Sequence, residues 1–193
     1  EAVSPEPLSL GHQLHPNQKQ QVQYLMEEFP GPFSSIPGKT LLTEHVIRTE
    51  PGKVIKQRPY RIPEARRQAV EMEVTKMLKG GIIEPSNSPW CSPIVLVPKP
   101  DASIRFCIDF RQVNRISLFD TYPMPRVDEL TERLGNAAFI TTLDLTKGYW
   151  QIPLEQTSKE KTAFSTPSGL YHFTVLPFGL HGAPATFQRL MDQ

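Results

Sequence analysis

The sequence predicts an α+β fold built around antiparallel strands. Helix-like and strand-like patterns alternate irregularly along the chain, and a short turn rather than a helix separates the clearest pair of strands. Antiparallel neighbours can be joined this way, whereas parallel strands need crossovers of about a dozen residues or more. The length of 193 residues, 38% hydrophobic and 21% charged, suits one globular domain, or one and part of another.

The clearest predicted helix covers residues 64–79. Pro63 stands before its first turn and Gly80-Gly81 follows its last, which are the residues favoured at the two ends of a helix. Its apolar stripe at helical spacing consists of Val70, Val74, Met77 and Leu78. Further helices are predicted over 16–29, 127–134 and 183–192.

The strands are predicted from alternation of apolar and polar residues. SPIVLVPKPDASIRFCIDF (92–110) reads as a β-hairpin, with apolar residues alternating on either side of a PKPDAS turn. The alternating residues are Ile94, Leu96, Ile104, Phe106 and Ile108. Other strands are predicted over 41–49, 139–145 and 150–154 and within SGLYHFTVLPF, residues 168–178.

The net charge of +1 conceals a basic middle block. Residues 53–115 carry twelve Lys/Arg against six Asp/Glu, whereas residues 1–52 have a net charge of −3 and residues 116–193 of −2. Such a block is what a phosphate-binding surface requires, although a solvated face of an ordinary helix has the same composition.

Several classes of protein and site are not indicated. No apolar run approaches the roughly 18 residues of a membrane span. EAVSPEPLSL has neither a basic start nor an apolar core, so no signal peptide is predicted. No Cys/His cluster has zinc-site spacing. Cys91 and Cys107 are predicted to be buried free thiols rather than a disulfide.

One stretch, FITTLDLTKGYWQIPL (139–154), places a carboxylate among apolar residues. Strand alternation puts Asp144 on the face opposite Leu143 and Leu145, so the carboxylate can reach solvent near the end of the strand. The Lys147-Gly148 turn and then Tyr149 follow at once. A carboxylate, a turn with free amides and an aromatic ring could hold Mg²⁺ and a nucleotide. A solvent-facing Asp at a strand end is the alternative.

The blocks around this stretch resemble the reverse transcriptase of gypsy-type long-terminal-repeat retrotransposons, from about residue 14 to residue 193. In order, they are YRIP (60–63), GIIEPSNSPWCSPIVLVPKPDASIRFCIDFRQVN (81–114), YPMPRVDEL (122–130), TLDLTKGYWQIPL (142–154) and KTAFSTPSGLYHFTVLPFGLHGAPATFQRLMD (161–192). The resemblance implies a right-hand polymerase fold with an incomplete palm. Its implied parts are a tail and connector (1–62), fingers (63–118), the first part of the palm (119–151), more fingers (152–182) and the start of a palm helix (183–193).

The resemblance also implies roles for single residues. Asp144 and the backbone carbonyl of Leu145 match metal ligands, for two Mg²⁺ ions in the complete enzyme. Lys147 and Gly148 match the turn whose amides meet the incoming triphosphate. Tyr149 matches the floor of the sugar pocket, with a core aromatic as the alternative. Further matches are Lys99 and Arg105 (triphosphate), Phe178 and Gly179 (base), and Gln188 and Arg189 (template or primer). Asp109, just before Phe110-Arg111, is interpreted as a structural residue that bonds Arg111 and not as a metal ligand.

Three departures from the family limit these implications. The mildest is His181-Gly182-Ala183-Pro184, where the family usually shows Asn-Ala-Pro. The hairpin tip reads Lys99-Pro100-Asp101-Ala102, where the family usually shows Lys-Lys-Asp-Gly. No Asp-Asp dipeptide occurs in the 193 residues, although the family's catalytic hairpin carries one after the last helix. In isolation, Lys99 and Arg105 also read as ordinary surface cations.

We therefore expect part of an RNA-directed DNA polymerase, catalytically inactive as this polypeptide alone. The implied partners are an RNA or DNA template-primer, deoxynucleoside triphosphates (dNTPs), and the remaining polymerase, ribonuclease H and integrase segments of a polyprotein. The alternative function is a non-catalytic nucleic-acid-binding remnant or a functionless transposon relic.

Overall fold

The computed structural model describes residues 9–31, 37–100, 104–135 and 137–193. Within them, every pair of neighbouring strands is antiparallel, which confirms the predicted α+β class. The helices are α1 (Pro16–Glu28), α2 (Glu64–Lys79), α3 (Arg111–Ile116), α4 (Val127–Leu134), α5 (Gln156–Lys159) and α6 (Ala183–Met191), with 3₁₀ turns at Gly148–Gln151 and Glu160–Thr162. The strands are β1 (Ile83–Pro85), β2 (Ile94–Pro98), β3 (Ile104–Ile108), β4 (Phe164–Thr166) and β5 (Gly169–Phe173).

The predicted hairpin is formed by β2 and β3. Ile94 lies opposite Ile108 and Leu96 opposite Phe106, so the alternating apolar residues share the face that packs on the core. The Phe106 ring meets Phe164 of β4 edge-on, at 5.9 Å between centroids. Residues 101–103 of the hairpin tip lie outside the described residues, so the altered sequence there has no structural account.

The second sheet has the order β1-β5-β4, with β5 in the centre. Ile83 lies opposite Phe173, and Phe164 lies opposite Tyr171. The two phenylalanine rings are 5.4 Å apart and both are buried. This sheet and the hairpin therefore enclose a common aromatic core.

Helix α2 has the predicted bounds and buries the predicted stripe. Val70, Val74 and Met77 are buried, and Leu78 packs at the edge of the same core. Burying a side chain of this size contributes about 1.5–3 kcal/mol relative to leaving it exposed. The stripe therefore holds the helix against the sheets, so packing and local sequence favour the same helix.

Two of the predicted strands were wrong. The segment 41–49 forms only isolated bridges, because His45 pairs with Leu154 whereas Thr49 pairs with Ser117 on a different segment. The predicted strand 150–154 begins instead inside the 3₁₀ turn Gly148–Gln151. In both places, the chain changes partner within a few residues, so no continuous ladder can form.

The predicted strand over 139–145 was also wrong. No described residue pairs with its backbone, and its side chains are exposed, including Phe139 at 67% and Leu143 at 75%. A strand needs a hydrogen-bonded neighbour to be stable, and alternation alone does not supply one. Asp144 is thus exposed because the whole segment is open, and not because it faces away from its neighbours.

This open segment is part of a longer stretch of chain that exposes apolar side chains. We call it the 118–145 apolar surface; it comprises Leu118, Phe119, Met124, Val127, Leu130, Leu134, Phe139, Ile140, Leu143 and Leu145, each exposed by 42% or more. Apolar side chains exposed together in such numbers mark an interaction site or an aggregation hazard. All ten stay at least 42% exposed in the described part of the chain, although the Phe119 ring meets His181 edge-on at 5.7 Å between centroids.

Other expectations have simple outcomes. Cys91 and Cys107 are free, as predicted, but they are half-buried rather than buried. No helix in the described part of the chain combines the length and the apolar character needed to cross a bilayer.

Candidate active site

Asp144 and Leu145 end the open segment and lead into a tight turn. The carboxylate forms no hydrogen bond or ion pair with any described residue, so it is free to accept a ligand. The turn itself is tied together, because Trp150 N donates to Lys147 O at 2.7 Å and Gln151 Nε2 donates to Thr146 O at 3.0 Å. A free carboxylate therefore precedes a fixed turn.

Lys147 takes the left-handed conformation with φ of 50°, which is uncommon for a residue other than glycine. Its ammonium group lies 5.2 Å from the centre of the Trp150 ring, within cation–π range. The contact explains how a lysine side chain is held at this turn. Gly148 follows, and a Cβ there would meet Leu145 Cβ at 3.6 Å and the Phe187 ring more closely still.

Tyr149 lies in an aromatic cluster at the surface. Its ring is 5.1 Å from Phe178, in the loop after β5, and 5.5 Å from Phe187 on α6. Trp150 also approaches Phe178, at 6.3 Å. Tyr149 is half-buried and Phe178 is 50% exposed, so the cluster combines a packed base with an open apolar face. The chain thus brings the predicted sugar-floor and base-loop residues together.

The loop Phe178–His181 is held by a residue that the sequence did not single out. Asn114 Nδ2 donates to Gly179 O at 2.9 Å, and His181 N donates to Asn114 Oδ1 at 3.1 Å. Gly179 has φ of +97° and packs near Phe110, which explains a glycine at this position. The position of Asn114 at the end of the block 81–114 was its only sequence signal.

Lys99 and Arg105 flank the tip of the hairpin. Lys99 follows the last residue of β2, and Arg105 lies opposite Val97 on the face turned away from the core. Both are exposed, and neither forms a hydrogen bond or ion pair with a described residue. Two exposed cations at one end of a hairpin can reach a polyanion, but nothing tests this role, and it remains a prediction.

The predicted template residues on α6 are engaged internally. Gln188 Nε2 donates to Asp192 Oδ1 at 2.9 Å. Arg189 donates to both carboxylate oxygens of Asp120, at 2.9 and 2.8 Å, and stacks over the Tyr122 ring at 4.7 Å. The hydrogen bond from Arg189 lowers the pKa of Asp120. These contacts tie α6 to the segment 120–122, and the template role stays a prediction.

Asp109 is confirmed as a structural partner of Arg111. Arg111 Nε and Nη2 donate to its two carboxylate oxygens at 2.8 and 2.6 Å, and Tyr60 OH donates at 3.1 Å. These bonds, above all those from Arg111, lower the pKa of Asp109 to about 2. The pair closes the end of β3 and leaves no free carboxylate there for a metal.

A cavity of about 370 Å³ lies on the other side of α6. His45 forms part of its wall, is buried, and shares a hydrogen bond of 2.8 Å between Nδ1 and Thr186 Oγ1. Burial lowers the pKa of His45 to about 4. Gly182 fits against this ring, since a Cβ there would lie 3.2 Å from His45 Cε1. The histidine therefore docks the connector 41–49 on α6.

A comparison with protein families shows to which family the chain belongs. The model of the family described as reverse transcriptase (RNA-dependent DNA polymerase) matches residues 97–193, half of the chain. The chain belongs to the reverse transcriptase family.

Curated relatives of this reverse transcriptase chain include retrotransposon polyproteins of Drosophila melanogaster. The retrovirus-related Pol polyprotein from transposon opus is 41% identical over 188 residues, which are 92% of this chain and 19% of that protein. The corresponding polyprotein from transposon 297 is 45% identical over 154 residues, 77% of this chain and 14% of that protein. The chain thus spans about a fifth or less of the length of these relatives. Their identity confirms the gypsy-type resemblance of its motifs.

Solved structures agree with the reverse transcriptase fold. A crystal structure of prototype foamy virus protease-reverse transcriptase superposes with a TM-score of 0.82 at 28% identity, covering 93% of this chain and 25% of that one. The foamy viral enzyme in complex with an RNA/DNA hybrid superposes with a TM-score of 0.77 at 23% identity, covering 98% and 28%. The described elements therefore form part of a polymerase fold.

The donor set for a metal is small. Among the described residues, no group of three or more His, Cys, Asp or Glu side chains could hold a metal ion. Asp144 and the adjacent carbonyl of Leu145 offer two hard oxygen donors of the kind that Mg²⁺ prefers. These two donors could contribute to a Mg²⁺ site but do not complete one by themselves.

Proposed function

We propose that this chain is the fingers and first palm part of an RNA-directed DNA polymerase encoded in a retrotransposon polyprotein. In that role, Asp144 and the carbonyl of Leu145 are the first metal ligands, and the turn Lys147-Gly148 faces the triphosphate. Tyr149, Phe178 and Gly179 form the floor for the sugar and base of the incoming dNTP. Lys99 and Arg105 grip its phosphates, and Gln188 and Arg189 face the template or primer.

The contact between Tyr149 and Phe178 carries the proposal. The two rings come from separate segments and meet at 5.1 Å beside the turn that follows Asp144. A half-open aromatic floor next to a carboxylate suits a nucleotide. The base and sugar need apolar contact, and the phosphates need a cation, which the carboxylate can hold. The fold and family of the chain support the same assignment.

The metal contributes the electrostatic part of the reaction. If held there, Mg²⁺ would lower the pKa of the primer 3′-hydroxyl and neutralise charge on the triphosphate. Asp144 would hold the ion through a carboxylate oxygen, while the rigid turn would keep the nucleotide from shifting. One carboxylate holds Mg²⁺ weakly, because the ion gives up its water reluctantly. The other carboxylates are proposed to come from polypeptide beyond these 193 residues.

Primer extension tests the proposal. The chain joined to its native continuation is assayed on poly(rA)/oligo(dT) with Mg²⁺ or Mn²⁺, alongside the 193-residue polypeptide alone. We expect template-dependent dTTP incorporation only by the longer protein, and its loss in Asp144→Asn. Asp128→Asn, another exposed Asp, on α4, is the matched control and should retain activity.

Two results would contradict the proposal. Full activity of Asp144→Asn in the longer protein would remove Asp144 from the metal site. Incorporation by the 193-residue polypeptide alone, lost on Asp144→Asn, would show that the described segment needs no further ligands. Sequencing the genomic flank for an in-frame Asp-Asp block is the simplest independent check.

The wider assignments follow from the polymerase role. We propose an RNA or DNA template-primer and dNTPs as partners, ribonuclease H and integrase segments in the same polyprotein, and copying in the cytoplasm. The division into 1–62, 63–118, 119–151, 152–182 and 183–193 stays a prediction. The alternative, a non-catalytic nucleic-acid-binding remnant or a functionless relic, is not favoured, because the match to polymerase relatives extends through the candidate site.

A further inference from the structure

We infer that Asn114 is a positioning residue for the nucleotide floor, acting through the loop Phe178–His181. The inference rests on the proposed function for its effect on dNTP binding, but its structural part stands on geometry alone. Asn114 lies on α3, and its side-chain amide bonds the loop at two backbone positions. It holds the loop whose first residue packs against Tyr149.

The two bonds use both ends of the amide. The carbonyl of Gly179 requires a donor, and the N–H of His181 requires an acceptor, so only one orientation of the Asn114 amide satisfies both. Aspartate would present a second acceptor to Gly179 O, and alanine would leave both backbone groups without a partner. The site is therefore specific for a short side-chain amide.

Asn114 stands on a rigid support. Its neighbour Val113 is buried, and its own N–H donates to Phe110 O at 2.8 Å. Phe110 is buried too, and it lies 3.6 Å from the place of a Cβ on Gly179. The ring of Phe110, just before α3, and the side chain of Asn114, within it, thus contact the loop from one support.

The loop has few other ties. Among the described backbone-to-backbone hydrogen bonds, one involves Phe178–His181, and it is local, from Ala183 N to Leu180 O at 3.2 Å. Leu180 is buried and anchors the middle of the loop, whereas Phe178 is half exposed. Asn114 therefore supplies the polar fixation that keeps Gly179 and Phe178 in place beside Tyr149.

Loss of this fixation should weaken nucleotide binding more than catalysis. Because two neutral hydrogen bonds to the loop are lost, we expect the KM for dNTP to rise about five- to thirtyfold in Asn114→Ala. The value of kcat should change by less than about threefold, because Asn114 touches neither the metal ligand nor the reacting atoms. The Kd for primer-template should stay unchanged.

The experiment uses the chain joined to its native continuation and compares Asn114→Ala, Asn114→Asp and Gly179→Ala. Gly179→Ala strains the same loop through its positive φ and should reproduce the rise in KM. Asn87→Ala, at an exposed asparagine between β1 and β2, is the matched control. Amide hydrogen exchange is measured in parallel, and residues 178–182 should exchange at least about tenfold faster in Asn114→Ala, with β1, β4 and β5 unaffected.

The outcomes separate the two proposals. An unchanged KM for dNTP, or a KM that rises together with the Kd for primer-template and with faster exchange throughout the sheets, would overturn the positioning role. If the wild-type protein extends no primer, the proposed function fails. The exchange of 178–182 then still decides whether Asn114 holds the loop: unaltered exchange refutes it and selective acceleration supports it.

Discussion

The ring of Phe187 occupies the space that a side chain at position 148 would need. A Cβ on Gly148 would lie 3.0 Å from Phe187 Cε2 and 3.2 Å from its Cζ. Since Phe187 also packs on Tyr149, one glycine determines how closely α6 approaches the turn after Asp144. Gly148 is therefore needed for packing as well as for the predicted approach of a phosphate.

Gly148→Ala should destabilise the chain by about 1–3 kcal/mol, because the added methyl group must push Phe187 aside in a packed cluster. Urea unfolding measures the change. Gly38→Ala is the matched control, since a Cβ there meets nothing within 4 Å, and it should leave stability unchanged or slightly raised. Phe187→Leu in the Gly148→Ala background should recover part of the loss; equal stability of the two alanine variants would contradict the packing argument.

His45 should make the fold sensitive to mild acid. Its pKa falls from 6.5 to about 4 in the folded chain because of burial, with Asp120 opposing this and Arg189 and His181 adding to it. A lowered histidine pKa gives stability that is complete above pH 6.5 and is lost as the pH falls towards 4. The loss amounts to roughly 3 kcal/mol at most.

His45→Asn tests this pH dependence, because asparagine can keep a hydrogen bond to Thr186 without titrating. Unfolding free energies measured from pH 7 to pH 4 should fall less steeply in the variant than in the wild type. His12→Asn, at an exposed position, should follow the wild type. A wild-type slope in His45→Asn would show that another group titrates in this range.

Arg111→Ala should leave the carboxylate of Asp109 without its strongest partner. The Asp109 side chain is 4% exposed, whereas that of Arg111 is 78% exposed. The cost of removing Arg111 therefore comes mainly from leaving the buried carboxylate without its partner. We expect a destabilisation of about 1–3 kcal/mol near neutral pH. Because the pKa of Asp109 is lowered to about 2, the contribution is present above pH 3.8 and is lost as the pH falls towards 2.

The control for this pair is Arg115→Ala. Arg115 is exposed in the last turn of the same helix and should affect stability by only a few tenths of a kcal/mol. Thermal unfolding of both variants at pH 7 and pH 3 separates them. A difference between wild type and Arg111→Ala that grows on acidification would rule out the ion pair as its cause.

The 118–145 apolar surface should make the 193-residue polypeptide aggregate. Phe139→Lys with Leu143→Lys should raise the monomeric fraction in size-exclusion chromatography with light scattering, and leave the melting temperature nearly unchanged, because both side chains are exposed. Leu154→Lys, at a buried position, should instead unfold the chain. A monodisperse wild-type monomer with a cooperative melt would refute the prediction.

Local sequence predicted an element correctly where the residues that begin and end it are themselves recognisable in the sequence. Helices α2 and α4 have the predicted bounds, and the β2–β3 hairpin has the predicted inward face. Three-residue β1, which ends in a proline, and six-residue α3 were missed, because they are too short to show a period. The segment 139–145 has strand-like composition but no described partner, and composition cannot report a missing neighbour.

The candidate site was predictable only in part for the same reason. Asp144, the turn and Tyr149 are contiguous, so their association could be read from the sequence. The contacts of Phe187 with Gly148, of Asn114 with Gly179, and of His45 with Thr186 join residues far apart in the chain. Only the folded arrangement shows them.

The open segment around Asp144 has a consequence for biosynthesis. In a polyprotein of the relatives' length, the sheets and α2 can fold as soon as these residues leave the ribosome, at about 5–20 residues per second. The 118–145 apolar surface then stays uncovered for as long as translation takes to deliver its partner. Ribosome-associated chaperones would meet the nascent chain at the segment that carries Asp144, the proposed metal ligand.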